Sequence, residues 1–202
     1  MRIHVTGIYR SGVGYLAYVL HTMFPSYHFP YKTVNHKVKV EEPCITYYQH
    51  DLRDLMDEDN VDGIYYVAIG RDPRYVMTSE KDCGHYAFDN GLFADANSRN
   101  YALRRYYRAF DMAVCAKTTY EALIRDPNEC VLDLGLEPEQ WYDWTLPVPE
   151  EYAHIAKGSG FMPRTLSNQD KWQVKRQLIL DKWLEKVVFK HWYGSGYHTK
   201  RS

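Results

Sequence analysis

A largely apolar run that leads into a turn and then into a helix occurs twice in this chain. Residues 3–6 run into the glycine-rich turn 7–14, and residues 64–69 run into Arg71 and Asp72. Such short runs are typical of strands that are buried on both faces of a parallel sheet. They predict two core strands, each followed by a turn and the start of a helix.

Strand and helix patterns alternate along the rest of the chain. The predicted strands are 44–48 and 115–119, and the predicted helices are 15–24, 52–56, the segment after Asp72, 98–114, 120–124, 127–135 and 172–192. Residues 34–40 fit an edge strand or a loop beside a substrate, whereas 84–97 and 141–170 show no regular period. This alternation predicts an α/β fold in three layers, with a central parallel sheet flanked by helices.

The composition fits one globular domain that spans residues 1–202. Hydrophobic residues make up 45% of the chain and charged residues 25%, as in ordinary globular domains. The net charge of −1 does not indicate a nucleic-acid partner, and no apolar run approaches the ~20 residues of a membrane span. The four cysteines are widely spaced, and no secretory pattern is present. We therefore expect a cytoplasmic protein that binds neither nucleic acid nor a membrane.

The first turn has the residues of a phosphate-binding loop. A phosphate is held by backbone N–H groups at a helix start and by a nearby cation. Gly7 and Gly12 allow close approach, and Arg10 supplies the charge. The glycine spacing is that of GxxxxGK[ST], but Val13 and Gly14 occupy the positions of the lysine and the magnesium-binding hydroxyl. This argues against hydrolysis of a magnesium nucleoside triphosphate, and the alternative interpretation is a plain tight turn.

The second turn carries a candidate for a second phosphate. Arg71 follows its strand at the edge where ligands bind in open α/β sheets, and Ser79 comes eight positions later. The planar guanidinium matches phosphate oxygens. The alternative is a helix start at Asp72-Pro73 with surface arginines such as Arg74. Two separate phosphate sites predict a ligand that is phosphorylated at both ends.

Both turns resemble the nucleotide site of sulfotransferases that use 3′-phosphoadenosine-5′-phosphosulfate (PAPS). Arg10-Ser11-Gly12 after an N-terminal strand is similar to their loop for the 5′-phosphosulfate, with Val13 and Gly14 replacing two hydroxyl residues. Arg71 and Ser79, in an Arg-Asp-Pro-Arg-x-Val context, resemble the pair that binds the 3′-phosphate. The resemblance implies an α/β fold similar to that of the P-loop-containing nucleotide hydrolases.

The resemblance also implies further nucleotide contacts and a reaction. Tyr120 matches a tyrosine that lies near the adenine, with a core tyrosine as the alternative, and Arg164 loosely matches a basic residue that closes over the nucleotide. The implied enzyme transfers a sulfuryl group from PAPS to a hydroxyl or amine acceptor by in-line displacement. The product is adenosine 3′,5′-bisphosphate, and no metal takes part.

Such a transfer needs a base for the acceptor proton and a cation near the leaving group. Arg10 is the candidate cation and would act electrostatically, since a guanidinium does not readily give up its proton. His50, just after a predicted strand, is the candidate base, because a histidine pKa near 6.5 suits neutral pH. Glu41, Glu42 and His85 are rival bases, and a plain surface histidine is the alternative for His50.

Two other functions stay open. The departures from the sulfotransferase pattern at Val13, Gly14 and Tyr48 fit a nucleotide-binding module of the same fold that transfers nothing. A small P-loop kinase is the second alternative, although it predicts a lysine that the first turn lacks. The acceptor, whether a small molecule, a glycan or a peptide, is not readable from the residues, and neither is the oligomeric state.

Overall fold

The computed structural model describes residues 1–7, 10–30, 39–49, 63–72, 76 and 107–153. The chain divides into two compact units, the first formed by Met1–Arg71 with Ala113–Met162 and the second by Asp72–Met112 with Pro163–Ser202. Most described residues belong to the first unit, and the site discussed below lies within it. That residues 1–202 form one domain stays a prediction.

A four-stranded parallel sheet forms the centre of the first unit. Its strands are β1 (Arg2–Gly7), β2 (Cys44–Gln49), β3 (Ile64–Gly70) and β4 (Ala116–Thr119), in the spatial order β2-β1-β3-β4. All neighbouring strands are parallel, which requires crossover connections rather than hairpin turns. The predicted α/β class with a parallel sheet is confirmed, and each strand matches its predicted bounds to within one residue.

The described part of the first unit also contains three α-helices. They are α1 (Val13–Met23), α2 (Tyr120–Arg125) and α3 (Pro127–Asp133). α2 follows β4 without a break, and α3 starts at the Asp-Pro pair, where the sequence predicts a start. The chain leaves α3 through Gly135, whose φ of 75° lies in the left-handed region that suits glycine.

The two faces of the sheet differ in chemistry. Ile3 and Val5 of β1 belong to the core cluster that also contains α1. Because successive side chains of a strand point to opposite faces, His4 and Thr6 share the other face, where both are buried. There His4 Nδ1 lies 2.8 Å from Thr46 Oγ1, so these buried polar groups satisfy each other.

α1 is buried nearly all round rather than along one face. Its helical period predicts a single apolar stripe, yet nine of its eleven residues are buried. The reason is the segment 139–152, here called the covering segment, which lies along the helix. It begins where the backbone N–H groups of Glu139 and Gln140 donate to the carbonyl of Met23, at 3.0 and 3.1 Å.

Aromatic side chains fasten the covering segment to the rest of α1. The rings of Tyr142 and Tyr152 lie 6.2 and 5.1 Å from the ring of Tyr18, measured between centroids. A 3₁₀ turn at Glu150–Tyr152 is the one regular element in this segment. The sequence predicts an irregular region from residue 141, and it is largely irregular as far as it is described. Its tyrosines nevertheless complete the core, which periodicity does not reveal.

Several predicted elements lie partly or wholly outside the described residues. These are the segment 34–38 of the candidate edge strand, the helices 52–56 and 172–192, and the loop 84–97. Of the helix predicted at 98–114, residues 107–112 are described and helical. It ends at Met112 rather than Val114, since strand β4 begins at Ala116. None of the helices in the described ranges has both the length and the apolar character that crossing a membrane requires.

Candidate functional site

The carboxyl ends of three strands meet at one edge of the sheet. Gly7, the last residue of β1, pairs with Gln49 at the end of β2, and Thr6 pairs with Ala68 near the end of β3. Ligands of open α/β proteins bind outside this edge. The turn that leads from β1 into α1 therefore lies where a ligand site is expected.

The end of this turn has an unusual backbone conformation. Gly12 has φ 93° and ψ 16°, in the left-handed region, and it forms the N-cap of α1. Arg10 has φ 67°, the one positive value found at a non-glycine residue in the described part of the chain. That conformation costs on the order of 1–2 kcal/mol for a residue with a Cβ. Strain of this kind occurs preferentially at ligand sites.

The first turn of α1 has no side-chain cap at its N-cap residue, Gly12. The first helical hydrogen bond runs from Leu16 N–H to the carbonyl of Gly12, at 2.9 Å. The N–H groups that precede Leu16 have no carbonyl partner within the helix. Gly12 has no side chain with which to cap them, and the first turn contains no acidic residue. The positive end of the helix dipole is thus left without a negative group from its own turn.

Close contacts require a glycine at two positions, and at Gly12 the backbone angle requires it as well. A Cβ at Gly7 would lie 2.6 Å from the carbonyl oxygen of Ile69 and 2.8 Å from Val13 Cγ2. A Cβ at Gly12 would overlap the ring of Tyr120 and lie 3.0 Å from its Cε2. The backbone at both positions therefore packs directly against its neighbours. Gly12 in particular lies against an aromatic ring from the start of α2.

Arg71 joins this arrangement from the end of β3. Its Nη1 donates a hydrogen bond of 3.0 Å to the carbonyl oxygen of Arg10. Its guanidinium carbon lies 4.4 Å from the centroid of the Tyr120 ring, a cation–π contact. The sequence predicts Arg71 in a phosphate site separate from the first turn. In the structure its side chain is hydrogen-bonded to the backbone of the first turn, and its place in a separate phosphate site stays a prediction.

Tyr120 is a core residue that also borders the site. Its side chain is buried, which agrees with the alternative interpretation of a core tyrosine. At the same time its ring contacts both Gly12 and Arg71. Burial raises the pKa of its hydroxyl, and the nearby Arg71 charge opposes that increase. Tyr120 is therefore neutral near pH 7 and holds the guanidinium through its ring.

The other residues of the turn differ in what they offer a ligand. Ser11 and Val13 are buried, and their side chains lie beside Gly7, within the fold. Gly14 is buried in the first turn of α1. At these positions a ligand would meet backbone N–H groups rather than side chains. Arg10 is half-buried.

The described residues separate the rival bases. Glu42 Oε2 lies 3.1 Å from the N-terminal nitrogen of Met1, and Cys44 pairs with Arg2 at the amino end of β1. At ~3.3 Å per residue, a six-residue strand places this end roughly 17 Å from Gly7. Glu42, and Glu41 before it, therefore belong to the opposite edge. The prediction of either as a base at this turn is not supported.

Four predicted site residues lie outside the described residues: His50, Ser79, His85 and Arg164. Their roles stay predictions. For His50, the described neighbour Gln49 ends β2 beside Gly7, so the strand that leads to His50 ends at the edge of the candidate site. Tyr48, one of the departures from the expected sequence pattern, is half-buried and pairs with Thr6.

Sequence reasoning missed two features of the site. It did not anticipate that Arg10 adopts a left-handed conformation and offers its carbonyl to Arg71. It also did not place the Tyr120 ring against Gly12. Neither feature has a local signal, because both depend on residues about 50 or more positions apart that only the sheet brings together. The order of strands along the sheet was the missing information.

The described residues contain no group of three or more His, Cys, Asp or Glu side chains placed to hold a metal ion. No protein-family model matches the chain, and no curated protein matches it. The class that the fold defines is a parallel α/β protein. Its candidate site consists of a strained turn, a helix N-terminus without a side-chain cap at Gly12, and an arginine held between a backbone carbonyl and an aromatic ring.

Proposed function

We propose that this chain is a PAPS-dependent sulfotransferase with the three-layer, P-loop-like form of the α/β fold. It transfers a sulfuryl group from PAPS to a hydroxyl or amine acceptor. One observation carries the proposal: the guanidinium of Arg71 is fixed beside the turn that leads into α1, whose N-cap Gly12 has no capping side chain. Two kinds of anion-binding group, backbone N–H groups and a cation, thus converge at the carboxyl edge of a parallel sheet.

The N–H groups of the first turn of α1 would hold the 5′-phosphosulfate. Arg71 would bind the 3′-phosphate through its guanidinium, with Ser79 as its proposed partner. The contacts to Tyr120 and Arg10 support this role because they fix the guanidinium before the ligand arrives. A group held in advance loses little conformational freedom on binding.

In the proposed reaction the acceptor oxygen or nitrogen forms a bond to sulfur. The bond from sulfur to the 5′-phosphate oxygen breaks, and its electron pair leaves on adenosine 3′,5′-bisphosphate. The acceptor proton passes to a base, for which His50 is the candidate. Arg10 and the N–H groups of α1 would stabilise the negative charge that develops on the leaving oxygen.

The packing of Val13 disfavours the kinase alternative. A P-loop kinase needs a lysine at this position, but the Val13 side chain lies against Gly7 within the fold. The non-catalytic module is the stronger alternative. It requires the same nucleotide site, so binding alone does not distinguish it from an enzyme.

The first experiment is calorimetric titration with adenosine 3′,5′-bisphosphate in the absence of metal, beside a titration with magnesium ATP. We expect the bisphosphate to bind more tightly. Arg71→Gln should weaken binding by about tenfold to a hundredfold, the contribution of a hydrogen bond to a charged group. Arg125→Gln removes an exposed arginine at the end of α2 and is the matched control. The proposed site would be refuted if the protein prefers magnesium ATP, or if Arg71→Gln binds the bisphosphate as tightly as Arg125→Gln does.

The second experiment measures transfer of labelled sulfate from PAPS to a panel of hydroxyl and amine acceptors. We expect His50→Ala to slow transfer while the affinity for the bisphosphate stays unchanged, because a base acts on the acceptor rather than on the nucleotide. Tight nucleotide binding without transfer to any acceptor would favour the non-catalytic module. Full activity of His50→Ala would assign the base to another residue, such as His85.

A further inference from the structure

Three large apolar side chains of the covering segment face solvent. Trp141, Trp144 and Leu146 are 62%, 55% and 64% exposed, respectively. A single exposed apolar residue needs no explanation, but several within six residues of one another form a patch. Tryptophan is also the residue type most enriched among the side chains that dominate binding at protein interfaces.

Hydrogen bonds hold the backbone that carries these exposed side chains. Tyr142, which lies between the two tryptophans in the sequence, is buried. Its N–H donates to Asn128 Oδ1 at 2.8 Å, and Asn128 Nδ2 donates to the Tyr142 carbonyl at 3.1 Å. Asp143 Oδ1 then accepts from the N–H and the hydroxyl of Thr145, at 2.9 and 2.6 Å. The tryptophans on either side of Tyr142 are thus presented from a fixed segment. A surface that is ordered in advance gives up little entropy when a partner binds.

The stretch of sequence that carries the patch is acidic. From residue 126 to residue 153 the sequence contains no lysine or arginine, whereas the whole chain is nearly neutral. Seven carboxylates on the same stretch are exposed: Glu129, Asp133, Glu137, Glu139, Asp143, Glu150 and Glu151. Such a surface repels nucleic acids and anionic membranes. It favours cations, which are also attracted to the faces of indole rings.

We propose that this surface, here called the acidic tryptophan face (residues 133–151), docks a basic polypeptide, that is, a partner segment that carries arginine or lysine side chains. Cationic side chains lie on the indole faces of Trp141 and Trp144, and the surrounding carboxylates pair with further positive charges at the rim. This arrangement uses tryptophan as the anchor and charge as the guide to the encounter. It is independent of the proposed sulfotransferase site, none of whose residues it includes.

The test is titration of the full chain at low salt with a short synthetic peptide of arginine, leucine and glycine. We expect saturable binding, detected by calorimetry and by shifts of the Trp141 and Trp144 indole N–H signals in NMR spectra. The Trp141→Gln/Trp144→Gln double variant should bind the peptide about tenfold more weakly. The variant removes two exposed cation–π contacts, and together these contribute about a factor of ten to affinity. The indole N–H signals of the native protein detect binding at the two tryptophans even if the double variant does not fold.

Two controls distinguish the patch from a general effect of charge or apolar surface. Val114→Gln removes an apolar side chain that is 90% exposed outside this face, and it should leave binding unchanged. Glu137→Gln/Glu150→Gln should weaken binding severalfold and reduce its dependence on salt, because it removes rim charges without touching the tryptophans.

Four results would overturn the proposal. The first is the absence of binding, and the second is equal binding by the double tryptophan variant. The third is equal binding of a counterpart peptide in which glutamate replaces every arginine, or of vesicles with anionic lipids. The fourth is self-association of the chain that the double tryptophan variant abolishes, measured by sedimentation. It would assign the face to a second copy of this chain.

Discussion

Two helices of the first unit begin in opposite ways. At the start of α3, Asp126 Oδ1 accepts hydrogen bonds from the backbone N–H groups of Asn128 and Glu129, both at 3.0 Å. Glu129 adds a negative charge to the same turn. At the start of α1, Gly12 offers no side chain, and the first turn contains no acidic residue.

α2 lies between these extremes. Its N-cap, Thr119, accepts one hydrogen bond, from Ala122 N–H at 3.1 Å. Every helix start has backbone N–H groups without a carbonyl partner in the helix. The N-cap side chain accepts two hydrogen bonds from such groups at α3, one at α2 and none at α1. α3 satisfies its donors with the protein's own carboxylate. α1 has no capping bond from its N-cap residue Gly12, and in the proposed site a bound anion would take the place of that carboxylate.

The largest effect is expected from Gly12→Ala. An alanine at φ 93° is strained, and its Cβ would overlap the Tyr120 ring. We expect the free energy of unfolding to fall by about 2–4 kcal/mol and binding of adenosine 3′,5′-bisphosphate to be lost. Denaturant unfolding and calorimetry measure the two effects.

Gly63→Ala is the matched control for this substitution. Gly63 has a similar φ of 83°, but a Cβ there would meet nothing within 4 Å. It should cost about 1 kcal/mol from backbone strain alone and leave nucleotide affinity unchanged. Equal losses of stability in the two variants would mean that the contact between Gly12 and Tyr120 contributes nothing.

The next effect in size is that of Asp126→Ala, which removes both capping bonds of α3. We expect a loss of about 1–2 kcal/mol in the free energy of unfolding, at the upper end for N-caps. Asp126→Asn keeps a side-chain oxygen and should recover most of that loss. Nucleotide affinity should not change, since this helix start already has its anion. A fall in nucleotide affinity would contradict the view that the start of α1 binds the nucleotide and the start of α3 does not.

A smaller effect is expected from Thr119→Val. This change keeps the shape of the side chain and its preference for a strand, while it removes the oxygen that caps α2. One bond is lost rather than two, so the free energy of unfolding should fall by about 0.5–1 kcal/mol, measured by chemical denaturation. A loss as large as that of Asp126→Ala would show that the number of capping bonds does not set the cost.

The contrast between these helix starts shows how much the sequence predicts. The Asp-Pro pair before α3 and the glycines before α1 are local signals, and both helix starts follow from them to within two residues. Strand positions are equally predictable, because an apolar run such as 64–69 must be buried. The phosphate-binding interpretation of the first turn likewise rests on adjacent residues.

What depends on distant contacts was not predictable. The strand order β2-β1-β3-β4 brings Arg71 to the carbonyl of Arg10, which lies 61 positions away along the chain. The covering segment packs on α1 through isolated tyrosines that follow no helical or strand period. Sequence patterns report which residues are buried within an element, but not which element covers them.

The smallest effect concerns the other end of α1, where His21 lies in the last turn. A helix C-terminus favours a protonated histidine, yet burial lowers the pKa of His21 below its ordinary value of 6.5, although the Glu151 charge and the Tyr27 backbone oppose this. Its ring stacks on Phe29, and its Nε2 lies 3.0 Å from Tyr152 Oη. Desolvation among these aromatic neighbours therefore outweighs the dipole.

The sign of the pH dependence follows from that order. Between the lowered pKa of the folded protein and 6.5, the unfolded chain binds a proton at His21 that the folded protein does not. The free energy of unfolding should therefore decrease as the pH falls through 6.5, and the decrease should end below the folded pKa. His21→Gln should remove this component of the profile, measured as the difference in denaturation midpoint between the two proteins across pH. His28→Gln, at an exposed histidine nearby, removes only the smallest of the causes that lower the pKa of His21 and should retain most of this component. If the stability of His21→Gln follows the native pH profile throughout, desolvation does not lower the pKa of His21. The C-terminal end of α1 would then accept a protonated histidine, as its helix dipole favours.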